Sequence, residues 1–350
     1  MRSSFKPVWK AFICCGAFLV LFTTEVRSEP IKIGWIGPLT GDAAVLGMDS
    51  MPAAQMVFEE VNSAGGIAGR RIELVVEDDQ YLTAKTVSAY QKLVHQDKVN
   101  VVITLTYGGL FAIAERAQRD DVLLIDPLDC DQRIAMLPEN VICISKRSED
   151  LGLVPAAYVV EQELTPAAVL YFDGDPFMGV VAEATKNRLM ELQGVAPLLL
   201  TYNNQNLDFR PQLLRIRASG AKSIFFYGYD SLGRGMAEAR GLGIDAAFVG
   251  LNTVASPDFM ALAGSALEGS HVSLWRAPRT PRFTEFIEQF RQKVGREPRF
   301  ETSMIPSYDI ATLIVKALRD GGTSADGRPD MKAIKSSLYS TKDFEGLSGT

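Results

Sequence analysis

Hydrophobic spacing along the chain switches repeatedly between two periods. Ile31 to Ile36 is a short apolar run that ends in the turn Gly37-Pro38-Leu39-Thr40-Gly41, and it predicts a buried strand. Ala54, Val57, Phe58 and Val61 then fall at i, i+3, i+4 and i+7, the spacing of one buried helix face, and Gly65-Gly66 stops that helix. Ile72, Leu74 and Val76 recur with period two, as a strand requires. The rhythm continues with a helix over Thr83 to Gln96, a strand over Val99 to Leu105, the pair Gly108-Gly109, a helix over Leu110 to Arg119 and a strand over Val122 to Ile125.

It resumes after Glu149-Asp150. A helix runs to Glu163, followed by strands at Ala167 to Phe172, Leu198 to Tyr202 and Ser223 to Tyr227, with helices near Met178 to Leu192 and Pro211 to Ala218 between them. Strands separated by helical crossovers predict an α/β fold, here two Rossmann-like lobes with parallel sheets. No low-complexity linker or short repeat separates them, so the joining segments are short, near Ser148 to Leu151 and Ser273 to Pro278. The last helices, Arg282 to Val294 and Met304 to Arg319, are expected to return to the first lobe. That gives lobe 1 as residues 29–149 plus 277–343, lobe 2 as 150–276, and a hinge between them, with 344–350 entering a final crossing.

The first 28 residues change where such a fold would work. Arg2, Lys6 and Lys10 precede the uncharged apolar run Ala11 to Phe22, and Val26-Arg27-Ser28 suits a peptidase, so residues 1–28 predict a cleaved signal peptide. A membrane anchor needs roughly 18 or more apolar residues, and this run lacks about a third of them. Cys14 and Cys15 lie inside the first half of the run, whereas a lipidated cysteine should follow it. A periplasmic location is expected.

Removing those residues takes away Arg2, Lys6, Lys10, Arg27 and Glu25, a net +3, so the formal charge of -6 becomes -9. An acidic chain without a basic stripe disfavours nucleic acid, whose binding relies on clustered Lys and Arg. Cys130 and Cys143 remain, thirteen residues apart. Export permits a disulfide between them, and Cys143 inside Val141-Ile142-Cys143-Ile144 equally suits a buried free thiol.

Enzyme signatures are missing from the pattern. His95 and His271 lack metal-ligand spacing, and no G-x-S-x-G elbow or phosphate loop occurs. Gly241-Leu242-Gly243 with Ala246 matches a dinucleotide fingerprint by letter, but it follows a helix and precedes a strand, the reverse of the required context. No catalytic residue, metal or cofactor is assigned. Open α/β sheets bind ligands at the carboxyl ends of their strands, which directs attention to loops there. Thr106-Tyr107-Gly108-Gly109 offers either an anion seat at a helix start or a plain tight turn. Asp126, Asp129 and Asp131 are either solvated caps or, if their loop faces the cleft, a seat for a cation.

Several stretches resemble the leucine/isoleucine/valine-binding protein family. They are Ile31 through Gly41 with Gly47, Val61-Asn62 through Gly69, Asp78-Asp79, Asp208-Phe209-Arg210-Pro211, Val249-Gly250 and Tyr308-Asp309-Ile310-Ala311. The resemblance implies a type I periplasmic binding fold that takes a small solute between two lobes for an ATP-binding-cassette importer, with membrane permease and ATPase subunits as partners and the protein itself a monomer. It carries ligand contacts onto Leu46, Thr106, Tyr107, Gly108, Gly109, Leu128, Asp129, Cys130, Phe177, Tyr229 and Asn252. Asn252 is neutral where the family has an acid for the ligand's amino group, Asp129 is acidic where small residues are usual, Phe177 stands where a tyrosine is common and Leu46 where an aromatic is common. These departures point away from a plain branched-chain amino acid toward an amide, a urea, an amine or an aromatic acid. Phe344 to Thr350 resembles the middle of the family's last crossing, as in a shortened protein or a fragment. A sensor of the same fold is the alternative function, and a hydrolase lacks any convergent nucleophile and base.

Overall fold

The computed structural model describes Met1 and residues 29–203, 207–324 and 328–349. The expected signal peptide therefore lies almost wholly outside the described residues. Within them, no helix is long and apolar enough to cross a membrane.

Ten strands form two five-stranded parallel sheets. The first contains β1 (Ile31–Gly37), β2 (Ile72–Asp78), β3 (Val101–Thr104), β4 (Leu123–Asp126) and β5 (Val141–Cys143) in the order β2-β1-β3-β4-β5. The second contains β6 (Ala167–Phe172), β7 (Leu198–Tyr202), β8 (Ser223–Tyr227), β9 (Ala247–Gly250) and β10 (His271–Val272) in the order β10-β9-β8-β6-β7. Read from the other edge, the second order repeats the first strand for strand. β3, β4 and β8 are buried along their whole length, which is why they appear in the sequence as continuous Val/Ile/Leu/Phe runs.

The helices that cover the sheets are α1 (Val45–Met48), α2 (Ser50–Ser63), α3 (Thr83–Gln91), α4 (Tyr107–Arg119), α5 (Asp150–Glu161) and α6 (Pro176–Gln193). They continue with α7 (Arg210–Ser219), α8 (Leu232–Gly241), α9 (Pro257–Ala263), α10 (Pro281–Val294), α11 (Glu301–Arg319) and α12 (Met331–Ser340). The apolar face of α2 meets Ile310, Ala311 and Ile314 of α11 over the fully buried Ile33 and Trp35 of β1, so the late helices do pack on the first sheet. Phe283, Phe286 and Phe290 of α10 join the same side through Ala53 and Met56. The segment between β5 and α5 leads from the first sheet to the helices of the second, and the segment between β10 and α10 leads back.

Three local expectations are corrected. Thr83 to Gln96 does not stay α-helical: Lys92–Gln96 widens into a π turn. The Gly108-Gly109 pair is not a turn, because α4 already begins at Tyr107. Glycine at 109 has a packing reason, since a Cβ there would sit 2.3 Å from Thr86 Oγ1 of α3. Finally, α12 adds a helix beyond Arg319 that the sequence pattern did not single out.

Candidate binding cleft

Every loop that matters leaves the carboxyl end of a strand, and the two sheets turn those ends toward each other. In the first sheet, β4 and β5 lie side by side with Asp126 paired to Cys143, so the chain segments that follow them run together. Asp126 Oδ1 accepts the N–H groups of Leu128 at 2.7 Å and Asp129 at 3.0 Å, which folds the loop back on its own strand. Ser145 donates its hydroxyl to the Leu128 carbonyl at 2.7 Å, and Ser148 N–H donates to the Cys130 carbonyl at 3.0 Å. A disulfide joins Cys130 to Cys143, with Cα atoms 5.5 Å apart. The Asp129 loop is thus fastened at three places to the strand beside it.

The second sheet answers with two fixed elements. Asp175 caps α6, accepting the Phe177 N–H at 3.0 Å with Pro176 in the first turn, a favourable start because proline lacks the N–H that would go unpaired there. The other Asp175 oxygen accepts the Tyr229 hydroxyl at 2.7 Å, so the loop after β8 is tied to the start of α6.

Between these walls lies a small cavity. Leu46, Tyr81, Leu128, Asp129 and Lys146 line it from the first sheet's side, and Leu151, Phe177, Met178, Tyr229, Leu251, Asn252 and Thr253 from the second's. Its free volume is about 20 Å³, room for roughly one water molecule. The cleft is therefore closed, with side chains from both walls in contact: the Tyr81 and Tyr229 rings meet edge to face at 5.3 Å and those of Tyr107 and Phe177 at 5.7 Å. Two hydrogen bonds of 2.7 Å, from Ser231 N–H and Oγ–H to the two oxygens of Asp42, also span the walls.

Of the residues singled out from sequence, Leu46, Leu128, Asp129, Phe177, Tyr229 and Asn252 line this cavity. Thr106, Tyr107, Gly108, Gly109 and Cys130 do not. Tyr107 turns its hydroxyl to Asp131 behind the wall, Gly108 lies against Thr83 and Pro176, and Cys130 is taken up in the disulfide. Thr106 to Gly109 form the start of α4 and are absent from the cavity's lining. Tyr81, Lys146 and Asp175 were not singled out. Tyr81 and the preceding Gln80 both hold left-handed backbone, φ 60° and 54°, an arrangement that costs non-glycine residues energy and is kept where the surroundings demand it.

The electrostatics are dominated by burial. Asp129 is only 2 % exposed, and its Oδ2 accepts no hydrogen bond among the described residues. Burial, and then the neighbouring Asp126 carboxylate, pushes the Asp129 carboxyl well above the usual range, with Lys146 opposing. Burial lifts Asp126 to about 7 and Asp175 to about 6, the latter against the hydrogen bonds from Tyr229 and the Phe177 backbone. Burial likewise depresses the Lys146 ammonium, which Asp129 and Asp126 counteract. No group of three or more His, Cys, Asp or Glu able to hold a metal occurs among the described residues. Such a cleft can bind a small molecule with an apolar body and polar ends.

The periplasmic binding protein family matches residues 30–350. The chain belongs to that family. It is 24% identical over 320 residues to a leucine-, isoleucine-, valine-, threonine- and alanine-binding protein of Pseudomonas aeruginosa, covering 91% of this chain and 85% of that one. Among solved structures, the branched-chain amino acid transporter substrate-binding protein LivJ of Streptococcus pneumoniae, in complex with isoleucine, is 27% identical with a TM-score of 0.78, covering 91% of this chain and 90% of that one. A solute-binding protein of an ABC transporter from Rhodopseudomonas palustris, in complex with benzoate, shares the fold at a TM-score of 0.78 and 18% identity, over 91% of this chain and 88% of that one. Relatives of this shape thus take ligands of quite different chemistry.

Proposed function

We propose that the protein is the extracytoplasmic solute-binding component of an ABC importer. Lobe 1 (29–149 plus 277–343) and lobe 2 (150–276) part and close on a hinge, and the closed, loaded form is presented to membrane permease and ATPase subunits. The bound solute is small and polar: amino-acid-like, an amide, an amine or an aromatic acid. Its role is binding and delivery, without turnover.

One observation carries this function: a small cavity is walled by strand-end loops of both sheets, so an occupant touches both sheets at once. A ligand then favours closure by the contacts it makes with both walls at once, which neither wall offers alone. The names of the relatives add the importer context.

The test combines scattering with a thermal-shift screen of amino acids, amides, amines and aromatic acids. A true ligand at a thousand times its Kd stabilises by about 4 kcal/mol. Compaction of the particle on adding that ligand is the expected result. A ligand that stabilises the protein without compaction would remove the hinge, and accumulation of a chemically altered solute would replace binding with catalysis.

A further inference from the structure

Asp129 is the one ionisable group in the first wall that reaches the cavity with a buried oxygen no described residue satisfies. A buried carboxylate oxygen left without a donor costs free energy, and native proteins keep such groups where something else completes them. Asp126 stands directly behind it, itself with a buried oxygen lacking a partner. Asp175 faces from the second wall, held in place by Tyr229. Against these three carboxyls the cleft sets a single ammonium, Lys146, and no ion pair within 4.0 Å joins it to any of them among the described residues. Its Nζ lies 5.8 Å from the centroid of the Trp275 ring. The remaining lining mixes apolar side chains, among them Leu46, Leu128 and Phe177, with the uncharged polar groups of Tyr81, Tyr229, Asn252 and Thr253.

Resting on the solute-binding function above, we infer that the ligand carries a positively charged nitrogen on an apolar body, that Asp129 is the residue that reads it, and that amides and aromatic acids are excluded. An N–H donor seated on Asp129 Oδ2 supplies the missing hydrogen bond and the missing positive charge together, and charge-assisted bonds of this kind are the strong ones. A carboxylate in the same place would add a further buried acid beside Asp129, Asp126 and Asp175, whose charged forms burial already disfavours. The raised affinity of the Asp129 carboxyl for a proton, caused by burial and by Asp126, fits a site waiting for positive charge. Asp131, Tyr81, Tyr229 and Lys146 are the other titratable groups around it, and of these only Lys146 brings a cation.

The experiment holds the apolar body constant and changes the head group. Isopentylamine, isovaleramide and isovalerate are titrated calorimetrically into the full mature chain, wild type and Asp129→Asn, with thermal unfolding of each unliganded protein as the control for folding. Isopentylamine is expected to bind, isovaleramide and isovalerate to bind at least tenfold more weakly or not at all, and Asp129→Asn to lose at least tenfold for the amine alone. Equal or better binding of isovalerate or isovaleramide overturns the inference while leaving the solute-binding function intact. So does an unchanged amine affinity in Asp129→Asn. If none of the three binds, native mass spectrometry of freshly purified protein separates the cases: a neutral or anionic bound solute ends the inference alone, and no bound solute from any source ends both. Should Asp129→Asn fail to fold, the head-group series on the wild type decides.

Discussion

Asp42 and Ser231 meet across the closed cleft, the Asp42 carboxylate taking both the backbone N–H and the hydroxyl of Ser231 at 2.7 Å. Asp42 lies in the loop after β1, and Ser231 immediately precedes α8, so the contact exists only while the two sheets are together. Any free energy it holds belongs to the closed state. Asp42→Ala should therefore weaken ligand binding without touching the ligand, by a coupling of roughly 1 to 3 kcal/mol, or about 5- to 150-fold. Calorimetry on the variant checks the size, and scattering should find the unliganded variant more extended. Unaltered affinity together with an unaltered radius would make the contact incidental.

The buried carboxyls predict how stability depends on pH. Asp126, Asp129, Asp175 and Asp230 all hold protons more tightly folded than unfolded, with burial the leading cause in each. Where the folded state binds more protons, stability falls as pH rises. The unliganded protein should thus melt higher at pH 5 than at pH 7.5, the loss being spread over the range from the ordinary carboxyl pKa near 4 up to about 7 for Asp126. Asp78 and Glu59 are shifted the other way by their hydrogen-bond partners, so their contribution fails only below that range and sets an acid limit. Calorimetric melting across pH 4 to 8 measures this, and a curve that climbs toward pH 8 would contradict it.

Tyr229 gives a prediction that separates structure from ligand contact. Its hydroxyl is spent on Asp175, and removing it leaves a buried carboxylate oxygen without that donor. Tyr229→Phe should destabilise the protein by about 1 to 3 kcal/mol even without ligand. A loss of affinity with no change in unliganded stability would instead mean that the hydroxyl turns to the ligand when the cleft opens.

Reduction of the Cys130–Cys143 disulfide should cost roughly 3 kcal/mol in the chain-entropy description of a loop of this length. Because the bridge fastens the Asp129 loop to β5, affinity should fall as well as stability. Paired Cys130→Ala, Cys143→Ala protein, compared by denaturant unfolding and calorimetry, tests both halves. Full affinity in the paired variant would assign the bridge to stability alone.

The central strands were legible in the sequence because they are buried over most of their length and appear as largely apolar runs between helical periods; Ile31–Gly37 and Ser223–Tyr227 are examples. Asp129 was legible because its loop follows such a strand, and Leu128 and Asn252 through the family resemblance. Lys146 satisfies the same rule, standing just beyond β5, and Asp175 precedes a proline at a helix start; both signals were present. Tyr81 was less accessible. Its entry into the cavity follows two left-handed residues in a loop whose Asp79 is tied down by Thr86 of α3, and no periodicity reports that. Gly108-Gly109 misled for a different reason: a glycine pair reads as a turn, whereas here close packing of α3 on α4 requires the small residue at 109 inside the helix.

The matched strand order of the two sheets makes the loop after β4 the counterpart of the loop after β9, and the loop after β1 the counterpart of the loop after β6. Leu128-Asp129 and Leu251-Asn252 therefore occupy corresponding stations, one acidic and one amide, facing a shared interior. Each chemical station exists twice, and a charge placed at either copy reaches the same occupant. Selectivity in such a duplicated frame can be rewritten by moving an acid from one copy to the other, with the strands and helices left as they were.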